Sequence, residues 1–191
     1  MAKVTLGPKA VAYPMPTFLI GANVAGKPNF MVAAWGGIAC GRPPMISVAI
    51  QHPRHTLKGI QENQTFSVNI PSESLAVSTD YCGIVSGGKT DKVKDCGFKV
   101  SYGELETAPL IEECPVSMEC RVVHTLNLGS HNLVIGEVIQ CHILEDCLSD
   151  GKPDPTKVKP LIYGDSQYWA LGQALGPAFK IGQGLKTQQP G

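Results

Sequence analysis

Glycine and proline interrupt this chain too often for long helices. Twenty-one Gly and fifteen Pro fall among its 191 residues, and both types break helical ladders and mark turns. What lies between the breaks is short and apolar. Thr17 to Val24 (TFLIGANV) reads as a strand and closes on the turn-forming Ala25-Gly26-Lys27-Pro28-Asn29. Phe30 to Cys40 (FMVAAWGGIAC) is a second run, in which Gly36-Gly37 marks a bulge or a close backbone approach, and Gly41-Arg42-Pro43-Pro44 ends it. Met45 to Gln51 alternates apolar with polar, and Thr65 to Ile70 is a further strand stopped by Pro71. Two long β runs, Cys114 to Leu128 and His131 to Leu144, meet at Asn127-Leu128-Gly129-Ser130 and predict a hairpin.

Helical signals are few. His55 to Gln64 carries Leu57 and Ile60 on one face, and Ser72-Glu73-Ser74-Leu75 opens a second helix with Ser72 as its N-cap. The glycines of Ser86-Gly87-Gly88-Lys89 end that helix or link it to a short turn around Asp91 to Lys94. Ser149 to Pro160 reads as a polar loop, and from about Gly172 to Gly191 the chain reads as a tail or dimer arm. Strands in this rhythm, without crossover helices, predict one mainly β domain over residues 1–191, an antiparallel barrel rather than a doubly wound nucleotide fold.

Charge narrows the function. Sixteen basic and sixteen acidic side chains cancel, so the basic surplus of a phosphate-neutralising nucleic-acid binder is missing. With 43% hydrophobic and 17% charged residues the chain has the make-up of a folded protein. No run reaches the ~18 apolar residues of a membrane span, and Met1-Ala2-Lys3-Val4-Thr5 lacks a signal-peptide pattern. Seven cysteines without a C-x-x-C pair read as free thiols, hence a cytoplasmic setting.

The strongest nucleotide and hydrolase signatures, G-x-G-x-x-G, G-x-x-x-x-G-K-[ST] and G-x-S-x-G, are all missing. Gln51-His52-Pro53-Arg54-His55-Thr56 offers two readings. Two histidines suggest a metal, but Pro53 stands between them and no further ligand is near, so no metal site is expected. Arg54 at a helix start suits an anion instead, since helix N–H groups and a guanidinium both favour phosphate. A solvated helix start capped by Thr56 is the bland alternative. Ser86-Gly87-Gly88-Lys89-Thr90-Asp91-Lys92 either cradles phosphate or forms a surface turn. Cys40 reads as packing or a redox thiol, His131 as a surface imidazole, and Tyr163, Tyr168 and Trp169 as core or dimer contacts.

Six segments in order carry a resemblance. They are Pro28 to Trp35, Gly41 to Val48, Arg54-His55-Thr56, Thr65 to Pro71, Ser86-Gly87 with Asp91-Lys92, and His131 to Val138. From about Val11 to Trp169 the chain resembles the flavin reductase-like, flavoredoxin-type proteins. The resemblance implies a six-stranded antiparallel Greek-key split barrel with a few short helices, dimeric, with FMN held near the subunit interface. Asn29, Met31, Val32, Ala33, Ala34 and Trp35 would run along the flavin ring, with Ser47, Ala49 and Gln51 on the next strand. Arg54, Thr56, Ser86, Gly87 and Lys92 would form the phosphate and ribityl site, and Cys40 and His131 would approach the ring. Many relatives carry a hydroxyl residue where this chain has Met31 or Ala34, so one hydrogen bond near the ring is missing.

The implied activity is NAD(P)H-dependent flavin or ferric reduction. A flavoredoxin-type FMN electron carrier fed by a protein partner is the alternative, and a split barrel with a lapsed flavin site the third. Arg54, Thr56, Ser86, Gly87 and Lys92 together weigh against the last.

Overall fold

The computed structural model describes residues 1–188. Strands dominate: β1 (Met15–Pro16), β2 (Phe18–Val24), β3 (Lys27–Ala33), β4 (Gly36–Gly41), β5 (Pro44–Gln51) and β6 (Thr65–Ile70) fill the first third. Short pairs follow, β7 (Val100–Ser101) with β8 (Leu110–Ile111), then the long β9 (Val116–Asn127) and β10 (His131–Ile143). The last are β11 (Leu148–Ser149), β12 (Lys152–Pro153), β13 (Ile162–Gly164) and β14 (Gln167–Trp169). The helices are α1 (His55–Asn63), α2 (Ala76–Ile84), α3 (Lys92–Cys96) and α4 (Pro155–Val158).

Seven strands, not the expected six, form the main sheet in the order β3-β2-β6-β9-β10-β5-β4, antiparallel at every step. The extra strand comes from the run Phe30 to Cys40, which breaks at Ala34-Trp35. Its halves become β3 and β4, on opposite edges of the sheet. Gly36-Gly37 is therefore no bulge but the start of β4. The close-approach reading holds, because a Cβ on Gly36 would lie 2.6 Å from the Ser47 carbonyl oxygen. Ala34-Trp35 carries the chain from one edge of the sheet to the other, so the sheet curls, and Trp35 C=O accepts the Ala49 N–H at 2.7 Å, extending the β4–β5 ladder by one step. β3 pairs only with β2 and keeps an unpaired edge.

Period-two alternation explains what the curl encloses. Phe18, Ile20 and Ala22 of β2 point inward with Met31, Ala33, Val48, Phe66 and Val134, and α1 plugs the barrel with Leu57 and Ile60. Leu19 and Phe30 point outward and are covered by Cys82 of α2 and by Phe98. Both faces of β2 are thus buried, which is why TFLIGANV reads as unbroken apolar sequence. Asn69 sits among these layers fully satisfied. Its amide donates to Leu19 C=O (3.0 Å) and Ser67 Oγ (3.0 Å), and its Oδ1 accepts from Ile111 N–H (3.0 Å) and Ser117 Oγ (2.7 Å).

Local expectations fare unevenly. The β9–β10 hairpin and α1 stand where the sequence places them. Ser72 does not cap a helix: its hydroxyl meets that of Ser74 at 2.7 Å, and a 3-10 turn precedes α2. Asp91 to Lys94 opens a true helix, with Asp91 Oδ1 accepting the Lys94 N–H at 3.1 Å. The expected loop from Ser149 to Pro160 holds the β11–β12 pair and α4, capped by Asp154. Of the expected tail, Gln189 to Gly191 lie outside the described residues. No helix among the described residues is long and apolar enough to cross a membrane.

Candidate functional site

Two cavities run together along the free edge of β3. The upper one, about 420 Å³, is walled by Met31 to Trp35, by Ala49 and Gln51 of β5, by Gly83 of α2, and by the β13–β14 hairpin. The lower one, about 360 Å³, lies over the start of α1 and the turn after α2. Met31, Gln51 and Arg54 line both, so the two form one elongated cleft. Each has the size of a small-molecule site.

The lower end is built for an anion. Arg54, Thr56, Ser86, Gly87 and Lys92 converge there from three separate stretches of chain. The Arg54 side chain has no hydrogen bond or ion pair among the described residues. Burial lowers the pKa of the Lys92 ammonium, and nearby Arg54 pushes it the same way. No carboxylate lines this cavity to offset the two cations. The N-terminal turn of α1 adds the positive end of a helix dipole.

Two of these residues work differently from the sequence reading. Lys92 is 5% exposed, and its Nζ donates to Phe30 C=O (2.9 Å) and Cys82 C=O (2.7 Å). It ties β3 to α2 and leaves one N–H for a ligand. Thr56 does not cap α1; it is buried, and its Oγ1 accepts from Asn29 Nδ2 at 2.6 Å. Asn29 in turn backs onto Gly87, where a Cβ would lie 1.7 Å from Asn29 Oδ1. Asn29 is therefore a wedge behind the turn and lines neither part of the cleft.

The upper end is aromatic. Trp35 and His131 stack with centroids 4.8 Å apart, and His131 lies opposite Gln51 in the β5–β10 ladder. His131 is thus a wall of the cavity, not a surface imidazole. Tyr163 and Tyr168 pack edge to face at 5.8 Å, and the Tyr168 hydroxyl donates to Asp80 Oδ1 at 3.3 Å. Burial and Asp80 raise the Tyr168 phenol to about pKa 12. These two tyrosines line the site, which the core-or-dimer reading missed. Thr17 was missed as well. It is 1% exposed, lines the cavity, and its Oγ1 has no hydrogen-bond partner among the described residues.

Val32, Ala33, Ala34 and Ala49 line the upper cavity. Ser47 lines neither part of the cleft, and its hydroxyl donates to Gly37 C=O at 3.3 Å. Cys40 lies on the edge strand β4 with its thiol 3.5 Å from Arg42 C=O, and it lines neither part of the cleft. His52 contacts Gly129 C=O at 2.5 Å and Asn132 at 3.3 Å.

A curled antiparallel sheet open along β3, an aromatic cavity and an anion pocket define a split-barrel ligand-binding domain. The family model for the flavin reductase like domain matches residues 10–172, and the chain belongs to that family. It is similar to flavoredoxin from Methanosarcina acetivorans, at 42% identity and TM-score 0.92, over 97% of this chain and all of that one. Flavoredoxin of Desulfovibrio vulgaris is 37% identical with TM-score 0.88, over 95% of this chain and all of that one. The FMN reductase (NADH) RutF of Acinetobacter baylyi is 29% identical over 61% of this chain and 59% of its own length.

Proposed function

We propose that the cleft holds FMN non-covalently and that the chain is an NAD(P)H-dependent flavin or ferric reductase-like oxidoreductase. The observation that carries this reading is Arg54, an unpaired guanidinium at the junction of an aromatic cavity and a carboxylate-free anion pocket. The residues present fit the cofactor. The open edge of β3 offers backbone groups to a heterocycle, with the small Ala33 and Ala34 permitting close approach. The orphaned Thr17 hydroxyl supplies, from the link between β1 and β2, a polar group that Met31 and Ala34 lack. Arg54, Ser86, the Gly87 backbone and the remaining Lys92 N–H would take the phosphate.

Bound FMN would supply hydride acceptance and one- or two-electron transfer. The protein's part is to orient the ring between β3 and the tyrosine hairpin, to place donors along its edge, and to leave one face open. No acid–base pair is demanded of it.

Whole-chain similarity to two flavoredoxins favours a second reading, an electron carrier fed by a redox partner protein. Adding NADH or NADPH anaerobically to the FMN-loaded protein separates the two. Rapid bleaching is the expected result. A bound flavin inert to both donors means the carrier, and a protein that neither retains nor quenches FMN defeats both readings.

The protein also fits a homodimer. Ile38 on the β4 edge is 88% exposed, Val123, Leu126 and Leu128 are uncovered on the β9–β10 arm, and Phe179 in the tail is 96% exposed. Sedimentation should give twice the chain mass; a monomer at micromolar concentration would refute this. The seven cysteines are all free, in keeping with a reducing cytoplasmic compartment.

A further inference from the structure

Cys82 of α2 and Cys114 before β9 belong to the outer apolar cluster around Phe30, and Cys96 of α3 packs against it. The helices bring two of these thiols together. Cys96 Sγ donates to Ser78 C=O at 3.7 Å. Ser78 stands one turn before Cys82 on α2, and a helical side chain leans back over the turn that precedes it. The Cys82 thiol thus lies over the turn that Cys96 reaches. Each thiol's proton affinity is set partly by a hydrogen bond with the other. Burial raises both pKa values, that of Cys82 to about 12, while the Lys92 ammonium lowers both. Cys82 is 1% exposed, whereas Cys96 is half-buried and open to small molecules.

We infer that Cys82 and Cys96 form an oxidisable dithiol whose disulfide closes a loop around the turn of the anion pocket. That loop, residues 82–96, carries Ser86, Gly87 and Lys92 of the pocket. Hydrogen peroxide is the oxidant. The Cys96 sulfur attacks one peroxide oxygen, the O–O bond breaks, and a sulfenic acid and water result. The Cys82 sulfur then displaces the sulfenic hydroxyl. An S–S bond forms, the S–O bond breaks, and a second water leaves with the Cys82 proton. Two thiols have lost two electrons and the peroxide has gained them. Burial slows the first step, because the thiolate is the nucleophile. The same high pKa values make either sulfur a poor leaving group, so the disulfide persists once formed. Its effect on FMN rests on the placement of the flavin phosphate in the pocket; the bond itself does not.

The test treats FMN-free protein with hydrogen peroxide and then reduces part of it with dithiothreitol. Oxidised wild type should lose the mass of two hydrogens. Trypsin cuts after Lys89, Lys92 and Lys94, so the peptides holding Cys82 and Cys96 should stay joined until reduction. Cys96→Ser should show neither the mass loss nor the joined peptides, and Cys114→Ala should show both. Oxidised wild type should melt about 5–10 °C above the reduced protein, the scale of a closed loop of this length. Because the turn is then held in place, it should also bind FMN severalfold more tightly. The inference is overturned if peroxide only adds oxygen, if Cys82 joins a different cysteine, or if the joined protein melts no higher and binds FMN no tighter. Failure of both forms to bind FMN would instead count against the cleft, while the joined peptides and the melting shift, read without FMN, still decide the dithiol.

Discussion

Lys92→Met should melt on the order of 10 °C below wild type and lose most of its affinity for FMN. The substitution nearly conserves volume, so no large cavity forms. What it removes is the ammonium between Phe30 C=O and Cys82 C=O. Two buried carbonyls are left without partners at ~1–3 kcal/mol each, and in a domain of this length each kcal/mol moves the midpoint by about 2–4 °C. The same change separates β3 from α2, the two elements between which the upper cavity opens. Thermal melts with and without FMN check it. An unchanged midpoint would mean that the lysine serves only the ligand and not the frame.

The other large effect is expected at Gly87. Gly87→Ala should weaken FMN about a hundredfold or more, equivalent to ~2.7 kcal/mol. Its Cβ would stand 1.7 Å from Asn29 Oδ1, and Asn29 cannot retreat while its amide is bonded to the buried Thr56 hydroxyl. The turn carrying Ser86 must then move away from Arg54. Removing the obstacle should repair the damage, so Asn29→Ala/Gly87→Ala should regain much of the affinity that Gly87→Ala alone loses. Gly88→Ala is the control, since its Cβ meets nothing nearer than His55 Nδ1 at 3.4 Å. Equal losses at both glycines would show that the turn needs flexibility and not the space that Asn29 occupies.

These two residues also show what the sequence can and cannot say. That Lys92 is a cation near the phosphate site follows from its segment. That two of its three N–H groups are spent on carbonyls does not, because Phe30 and Cys82 meet it only after β3 and α2 pack together. The same holds for Asn29, which lies in the expected strand while β3 turns its side chain toward α1, a contact that only packing creates. The β9–β10 hairpin was legible because turn chemistry and alternation are local properties. The split of Phe30 to Cys40 was not, since Ala34-Trp35 is as apolar as its flanks and only the distant strand β5 fixes the corner. Thr17 is silent in sequence, one hydroxyl beside an apolar run, and becomes conspicuous only as a buried atom without a partner. The tyrosines could have been read from the turn signals of Gly164-Asp165-Ser166, where both Asp165 and Ser166 have positive φ. A hairpin that short holds Tyr163 and Tyr168 opposite each other.

The most direct measurement titrates wild type and Arg54→Ala with FMN and with riboflavin, which lacks the phosphate. If the cleft holds the flavin with its phosphate at Arg54, the substitution weakens FMN by about tenfold to a hundredfold, the worth of a charge-assisted phosphate contact. Riboflavin affinity then stays where it was. Equal losses for both ligands, or no loss for either, would contradict that placement.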